Sequence, residues 1–169
     1  MSGSITRDRK NADTFKKAMA EIEKHCVKIG FFEDSHYDKA PVAYIAAIQE
    51  FGYAAGNIPS RSFMRTTQKE KQSHWSALAQ KAFVACSKGR ISAEDVYDRL
   101  GMDAQKAVFK KIKSIKAPAL AEGTIKARKR AKANGGKGAT AGISKPLIDT
   151  GIMLAAVSYE VSSPAVDST

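Results

Sequence analysis

Histidine and cysteine, the side chains that most often bind metals or act as nucleophiles, are few and scattered in this sequence. The histidines are His25, His36 and His74, and the cysteines are Cys26 and Cys86. His25 and Cys26 are adjacent, so in a strand they would point to opposite faces, which is poor geometry for one metal ion. No C-x-x-C, H-E-x-x-H or G-x-S-x-G spacing occurs. We therefore expect structural or surface histidines and buried free thiols from a reducing compartment.

The segment GGKG at 135–138 resembles a phosphate-binding loop only superficially. Lys137 is followed by Gly138 rather than by Ser or Thr, and the pattern predicts no strand before it and no helix opening from it. Glu33 and Asp34 lie in a polar stretch typical of solvated charges. We expect no nucleotide site, no cofactor, no metal and no enzyme activity.

One carboxylate lies where a helix should disfavour it. Glu50 falls in the last turn of a predicted helix, where the macrodipole costs a lone carboxylate up to about 1 kcal/mol. Arg61 is the first candidate to compensate, because its planar fork can grip a carboxylate with two bonds, and Arg65 is the second. The hypothesis is that a Glu50–Arg61 pair staples the extended segment IPSRSF to that helix; the alternative is a solvated Glu50. The predicted staple comprises Glu50, Phe51, Gly52, Pro59, Arg61, Phe63 and Arg65.

The segment PLIDTGIM indicates the start of a short helix. A side-chain oxygen of Asp149 or Thr150 is expected to accept an unpaired amide there. A phosphate at this helix start is the weaker alternative, because Asp149 would repel it. The predicted cap motif comprises Pro146, Asp149, Thr150 and Gly151.

Residues 104–148 form a basic segment with twelve Lys or Arg against one acid, Glu122. A solvated face is the ordinary explanation for lysines, but five cations within 126–132 repel one another, and an anionic neighbour would relieve that. The phosphates of a nucleic acid or an acidic surface on a partner protein would supply this negative charge equally well. No aromatic residue is interleaved among the cations of 126–132, so we do not expect stacking on single strands there. The candidate contact residues are Lys126, Arg128, Lys129, Arg130, Lys132 and Lys137.

Apolar periodicity predicts an α+β fold, with a small antiparallel or mixed β-sheet packed by two long helices and accompanied by shorter helices. The predicted helices cover 13–25, 41–51, 64–88 and 92–115, and the predicted strands cover 26–32 and 157–161. Asp13 and Thr124 are expected to cap helices, and Ser92 with Asp95 resembles a capping box. We expect one domain over 1–169 that contains the basic segment 104–148.

The bulk composition narrows the kind of partner. The chain has 169 residues, 43% of them hydrophobic, and a formal charge of +11, which favours acidic partners. The start MSGSITRDRKNAD has no apolar signal core, and no apolar run approaches a membrane span. We expect a soluble protein made in a cytoplasm, without membrane contact.

The ordered set VKIGFF, AYIAAIQEFG, IPSRSFMR, TIKARK and PLIDTGIM resembles the bacteriophage virion-morphogenesis proteins, which include tail-completion and head–tail neck proteins of long-tailed phages. The resemblance runs from about Val27 to Val161. Its most specific parts are EFG, IPxRxF and PLxDTG. The family commonly has IPxRPF, whereas this chain has Ser62 in place of that proline.

The resemblance implies an α+β subunit without catalysis, which forms a homo-oligomeric ring at the capsid–tail junction and lets the two halves join. Implied partners are further copies of itself and adjoining neck, portal-side or tail-tube proteins, with non-specific contact to packaged DNA. The implied location is the virion, after assembly in the bacterial host cytoplasm. A small basic, sequence-independent DNA-binding protein is the alternative; it would bind duplex as a monomer or dimer with a steep salt dependence.

Overall fold

A computed structural model of the protein describes residues 2–32, 36–37, 40–135 and 142–162, with backbone only for 2–8 and 36–37. The chain divides into two compact units, each assembled from separate stretches of sequence. Unit 1 comprises the residues up to Ile29, Lys71–Ala104 and the residues from Tyr159 onward. Unit 2 comprises Gly30–Glu70 and Gln105–Ser158.

Unit 1 is built from helices around a small apolar core. It contains helix α1 (Ser2–Glu23), strand β1 (Cys26–Gly30) with its partner β4 (Ser158–Ser162), and parts of α3 (Met64–Ser87) and α4 (Ala93–Ser114). The core joins α3 to α4 through Ala82, Cys86, Ala93 and Val96. The Tyr97 hydroxyl donates to the Ile22 carbonyl over 2.8 Å, which ties α4 to the end of α1.

Unit 2 holds the shorter elements and most of the residues singled out by the sequence. Strands β2 (His36–Tyr37) and β3 (Ala40–Pro41) form an antiparallel pair, followed by α2 (Val42–Phe51) and a 3₁₀ turn at Ala54–Gly56. Helices α5 (Glu122–Ala133) and α6 (Ile152–Ala155) complete it, together with the first turns of α3 and the C-terminal half of α4. Its buried apolar residues include Val42, Phe63, Val108, Ile112, Leu147 and Ile148.

Local chemistry explains where the central helices start and stop. Pro41 is the N-cap of α2, where its missing N–H costs nothing, and Gly52 ends α2 at φ +83°. At the start of α4 the Ser92 amide donates to Asp95 Oδ2 over 2.8 Å, and the Asp95 amide donates to Ser92 Oγ over 3.0 Å. This reciprocal pair confirms the predicted capping box.

The predicted α+β class is confirmed, with small sheets and long helices. Two boundary predictions are wrong. Helix α1 begins at Ser2 rather than after Asp13, because residues 2–12 lack the apolar stripe by which a helix is recognised. Helix α5 begins at Glu122 after Ala121, so Thr124 lies inside the first turn and does not cap it. The single domain over 1–169 stays a prediction.

Candidate functional site

The side chain of Glu50 leaves the last turn of α2 and reaches the start of α3. It is 4% exposed. Its Oε2 accepts the amides of Phe63 and Met64 over 2.7 and 2.8 Å, and its Oε1 accepts the amide of Arg65 over 3.1 Å. These amides belong to the helix start, where no intrahelical acceptor exists. Glu50 therefore caps α3, whose positive dipole end favours a carboxylate.

Arg65 also binds Glu50, on the exposed side of the contact between the end of α2 and the start of α3, which we call the junction. Its Nε donates to Glu50 Oε1 and its Nη2 to the Glu50 carbonyl, both over 3.0 Å. That carbonyl also accepts Ser60 Oγ over 2.7 Å, while Ser62 Oγ donates to Glu50 Oε1 over 2.6 Å. The guanidinium lies 4.8 Å from the centre of the Phe51 ring. A cation thus meets the negative end of α2, and the adverse field at Glu50 is compensated.

The predicted Glu50–Arg61 pair is wrong. Arg61 is 5% exposed, and its Nε and Nη2 donate to the carbonyls of Pro118 and Ala119 over 2.8 and 3.0 Å. Its Nη1 donates to Gln49 Oε1 over 3.0 Å, and its amide donates to the Gln49 carbonyl over 2.7 Å. The guanidinium of Arg61 therefore binds the loop after α4 rather than Glu50. Arg65, the second candidate, is the partner of the carboxylate.

The electrostatics of the junction favour the charged form of Glu50. Burial raises the pKa of this carboxyl, but hydrogen bonds from Ser62, the Met64 amide and Arg65 together hold the pKa below its ordinary value. Burial and the nearby Arg128 lower the pKa of Arg61. The carboxylate is an acceptor for five donors at once, so it is a structural group rather than a free acid or base.

The rest of the predicted staple shapes the turn between α2 and α3. A side chain at Gly52 would meet the Ser60 nitrogen at 2.9 Å and the Ile58 oxygen at 3.0 Å, so only glycine fits. Tyr53 and Ile58 form an antiparallel bridge that closes the loop before exposed Pro59. Phe63 is fully buried, with its ring edge-to-face against Phe31 at 5.9 Å. Phe51, which the apolar pattern of α2 would place in the core, is instead 66% exposed.

The outer face of α2 is apolar and uncovered in the described chain. Both polar side chains of the helix, Gln49 and Glu50, are turned inward to Arg61 and to the start of α3. Tyr44 is 60% exposed and Phe51 66%. Exposed Ala43 and Ala47 complete this outer face. Such helices are ordinarily covered on all sides.

Of the two residues predicted to cap the helix after Gly151, Thr150 accepts an amide at the helix start and Asp149 does not. Helix α6 spans only Ile152–Ala155, and its N-cap Gly151 makes no side-chain cap bond. Thr150 Oγ1 accepts the Ile152 amide over 3.3 Å, while Asp149 Oδ1 lies 3.2 Å from Arg128 Nε. The Asp149 cap is therefore wrong, because the guanidinium draws this carboxylate away. Pro146 is buried beside Leu147.

Arg128 is the exception among the candidate anion contacts. Its Nη1 donates to the carbonyls of Lys145 and Ile148, each over 2.9 Å, and its side chain is 11% exposed. Its buried Nε lies close enough to Asp149 for an ion pair but does not have the geometry of a hydrogen bond. Within the described part of the chain this nitrogen therefore has no hydrogen-bond acceptor, and Asp149 balances only its charge. Arg128 fixes the segment before α6 and is not available to a ligand. The exposed cations of α5 are Lys126, Lys129, Arg130 and Lys132, and Lys137 lies outside the described residues.

Both cysteines are free thiols, but only Cys86 is buried and Cys26 is partly exposed, and His25 and Cys86 line one pocket of unit 1. His74 Nε2 and Trp75 Nε1 both contact Asp103 Oδ2, at 3.1 and 3.0 Å, so this carboxylate pairs α3 with α4. Within residues 2–32, 36–37, 40–135 and 142–162, no three His, Cys, Asp or Glu are placed to hold a metal ion. In the same ranges no helix is both long enough and apolar enough to span a bilayer.

Sequence reasoning missed three side chains of the junction, those of Gln49, Ser60 and Ser62. In the sequence Ser62 stands out only as a departure from the IPxRPF pattern, yet its hydroxyl donates a bond that proline could not donate. Gln49 gave no signal, because an amide at a helix end is ordinarily solvated. In comparisons with known proteins, no family model, no curated protein and no solved structure matches the chain.

Proposed function

We propose that this chain is a structural phage protein, a ring-forming subunit at the head–tail junction that completes the neck or tail so that capsid and tail can join. Its partners are further copies of itself and adjoining neck, portal-side or tail-tube proteins, and it acts in the virion without catalysis or a cofactor. The ordered motifs EFG, IPSRSF and PLIDTG support the family part of this proposal.

The observation that carries the assembly role is the uncovered apolar face of α2. Exposed aromatic residues at this density mark protein interfaces, where Tyr and Phe are enriched. Tyr53, 50% exposed, follows Tyr44 and Phe51 along the chain. The junction below the helix holds its end rigidly through Glu50 and Arg65, so the face is preorganised, which lowers the cost of association.

A ring needs a second, different contact face, because head-to-tail interfaces pair unlike surfaces. Unit 1 carries its own exposed apolar side chains on three helices. These are Phe15 at 50%, Val84 at 52% and Met102 at 42%. They support a heterologous contact rather than a two-fold dimer through α2 alone.

The test is the mass of the purified protein in solution, with and without a charge on α2. Tyr44→Glu is expected to leave the fold intact, because this side chain is exposed, and to shift the oligomer to monomer. Gln72→Glu, an exposed site on α3, is the matched control and should assemble normally. In infected cells, loss of the protein should leave complete capsids and complete tails that are unjoined. Infectious particles formed without it, or turnover of a substrate, would end the proposal.

A small DNA-binding protein is the second candidate, favoured by the exposed cations of α5. After Glu122 this helix carries Lys126, Lys129, Arg130 and Lys132 towards solvent and no further acid. A DNA-binding protein of this kind should be a monomer or dimer at every protein concentration, and its affinity for duplex DNA should fall steeply as the salt concentration rises. A concentration-dependent ring with weak duplex affinity decides against it.

A further inference from the structure

Three lysines of α4 line one concave surface, which we name the α4 groove. It has a volume of about 660 Å³, and its lining includes Lys106, Phe109, Lys110 and Lys113 from α4 and Lys145 from the segment before α6. None of the residues that line it is acidic. Within the described chain no ion pair engages these four lysines, whereas Lys111 on the adjacent face is paired to Glu70 over 2.6 Å.

The spacing of the lysines makes a linear array of charge. Lys106, Lys110 and Lys113 recur at four and three residues, so they share one helix face and are spread over about 10 Å along the axis. Lys145 faces them from another segment, and its position is fixed by the Arg128 bond to its own carbonyl. A chain of regularly spaced anions matches this array better than a single small anion does.

An aromatic ring lies among these cations. Phe109 is 38% exposed, and the Lys113 ammonium lies 5.2 Å from the centre of its ring. The neighbouring polar groups are committed elsewhere: Gln105 donates to the Val157 carbonyl over 2.7 Å, and Ser114 to the Lys111 carbonyl over 2.8 Å. The groove therefore offers positive charge and one ring face, without a donor set suited to reading base edges.

We propose that the α4 groove binds a short single-stranded nucleic acid, with successive phosphates on the lysines and one base stacked on Phe109. A basic groove with an aromatic platform is the usual means of holding single strands without sequence preference. A duplex keeps its base faces inside its stack and gains nothing from Phe109. An acidic peptide would use the lysines alone. The proposal is independent of the ring-forming role and of the α5 cations.

The test is fluorescence anisotropy with a labelled oligothymidine of about ten nucleotides at low salt. Phe109→Leu, which keeps apolar bulk but removes the ring, is expected to weaken binding at least about fivefold. Phe15→Leu, an exposed aromatic residue of α1, is the matched control and should bind as the wild type does. The Lys106→Gln/Lys110→Gln pair should lower the salt slope by about 1.4, from two lost phosphate contacts. Lys129→Gln/Lys132→Gln removes the same charge from α5 and should leave the slope nearly unchanged.

Three results would overturn the proposal. One is equal weakening by the two lysine pairs, which would mean that net charge alone is responsible. Another is a polyglutamate peptide that competes with the oligonucleotide at equal charge, with binding insensitive to Phe109→Leu; the ligand is then an acidic protein segment. The third comes from the unaltered protein: ultraviolet cross-linking to oligothymidine should label the peptide that contains Phe109, and a label found only on α5 removes the site even if a variant fails to fold.

Discussion

At the scale of single residues, one carboxylate organises the junction between two helices. Glu50 satisfies three backbone amides, one hydroxyl and one guanidinium. Removing a buried acceptor of this kind destabilises the fold mainly because each donor left without a partner costs about 1–3 kcal/mol. Glu50 is thus a structural group, and its importance can be measured directly.

We expect Glu50→Ala to lower the free energy of unfolding by roughly 3 kcal/mol or more, because it strands buried donors and leaves Arg65 without its counter-charge. Glu50→Gln keeps one acceptor oxygen and should cost less. Urea denaturation at neutral pH measures both. The control is Glu70→Gln, whose carboxylate is about half exposed in its pair with Lys111, and which should change stability by less than about 1 kcal/mol. Equal losses at the two sites would contradict the capping role.

The pKa of Glu50 predicts a sign for the pH dependence. Because the folded-state pKa lies below the ordinary value of 4.5, this group adds stability above that value and loses it as pH falls through the folded pKa. The stability difference between wild type and Glu50→Gln should therefore be full at neutral pH and shrink below about pH 4. Urea midpoints of both proteins across this range give the answer. A difference that grows on acidification would refute the assignment.

Arg128 gives a third test at this scale, since one nitrogen holds two carbonyls in front of α6. Arg128→Lys retains the charge but loses the planar fork, and we expect a loss of about 1–2 kcal/mol. Arg130→Lys, two residues away and exposed, is the control and should be nearly neutral. Thermal unfolding followed by circular dichroism compares them. Similar melting temperatures for the two variants would show that the two carbonyl bonds contribute little.

At the scale of elements, the turn between α2 and α3 depends on one glycine. Gly52→Ala should cost about 1–3 kcal/mol, because φ is +83° and the added methyl meets backbone atoms of Ile58 and Ser60 that cannot move aside independently. Gly123→Ala is the control: it lies in α5 with no atom within 4 Å of the added methyl, and should be neutral or stabilising by about 1 kcal/mol. Chemical denaturation distinguishes them. A stable Gly52→Ala protein would mean that the turn can relax.

Local sequence signals predicted where helices begin and end better than they predicted which side chains bind each other. Pro41, Gly52 and the Ser92–Asp95 pair each act within a few residues, so the limits of α2 and the capping box of α4 followed from the sequence, whereas the starts of α1 and α5 did not. The choice between Arg61 and Arg65 depended on where the loop at Pro118 and Ala119 lies, which is not a local property. The same holds for Asp149, whose carboxylate is drawn to Arg128, and for the α4 groove, which Lys145 lines from a segment distant in sequence.

At the scale of the whole molecule, the net charge of +11 opposes folding through self-repulsion. We expect the urea midpoint to rise when sodium chloride is raised from about 20 to about 300 mM, since screening weakens this repulsion more than it weakens the exposed ion pairs of the described residues. The control is Lys129→Gln/Lys132→Gln, which should show a smaller rise. A midpoint that falls with salt would mean that ion pairs such as Lys111–Glu70 dominate instead.

The carboxylate between α2 and α3 also has a mechanical consequence. The last turn of one helix and the first turn of the next share the same bonds, so neither can tilt unless Glu50 releases its donors. Phe51 rests against Arg65, which belongs to the next helix. A neighbouring molecule that pushes on that ring therefore displaces both helices as one rigid corner, and the movement is delivered to the beginning of α3 rather than absorbed in the bend.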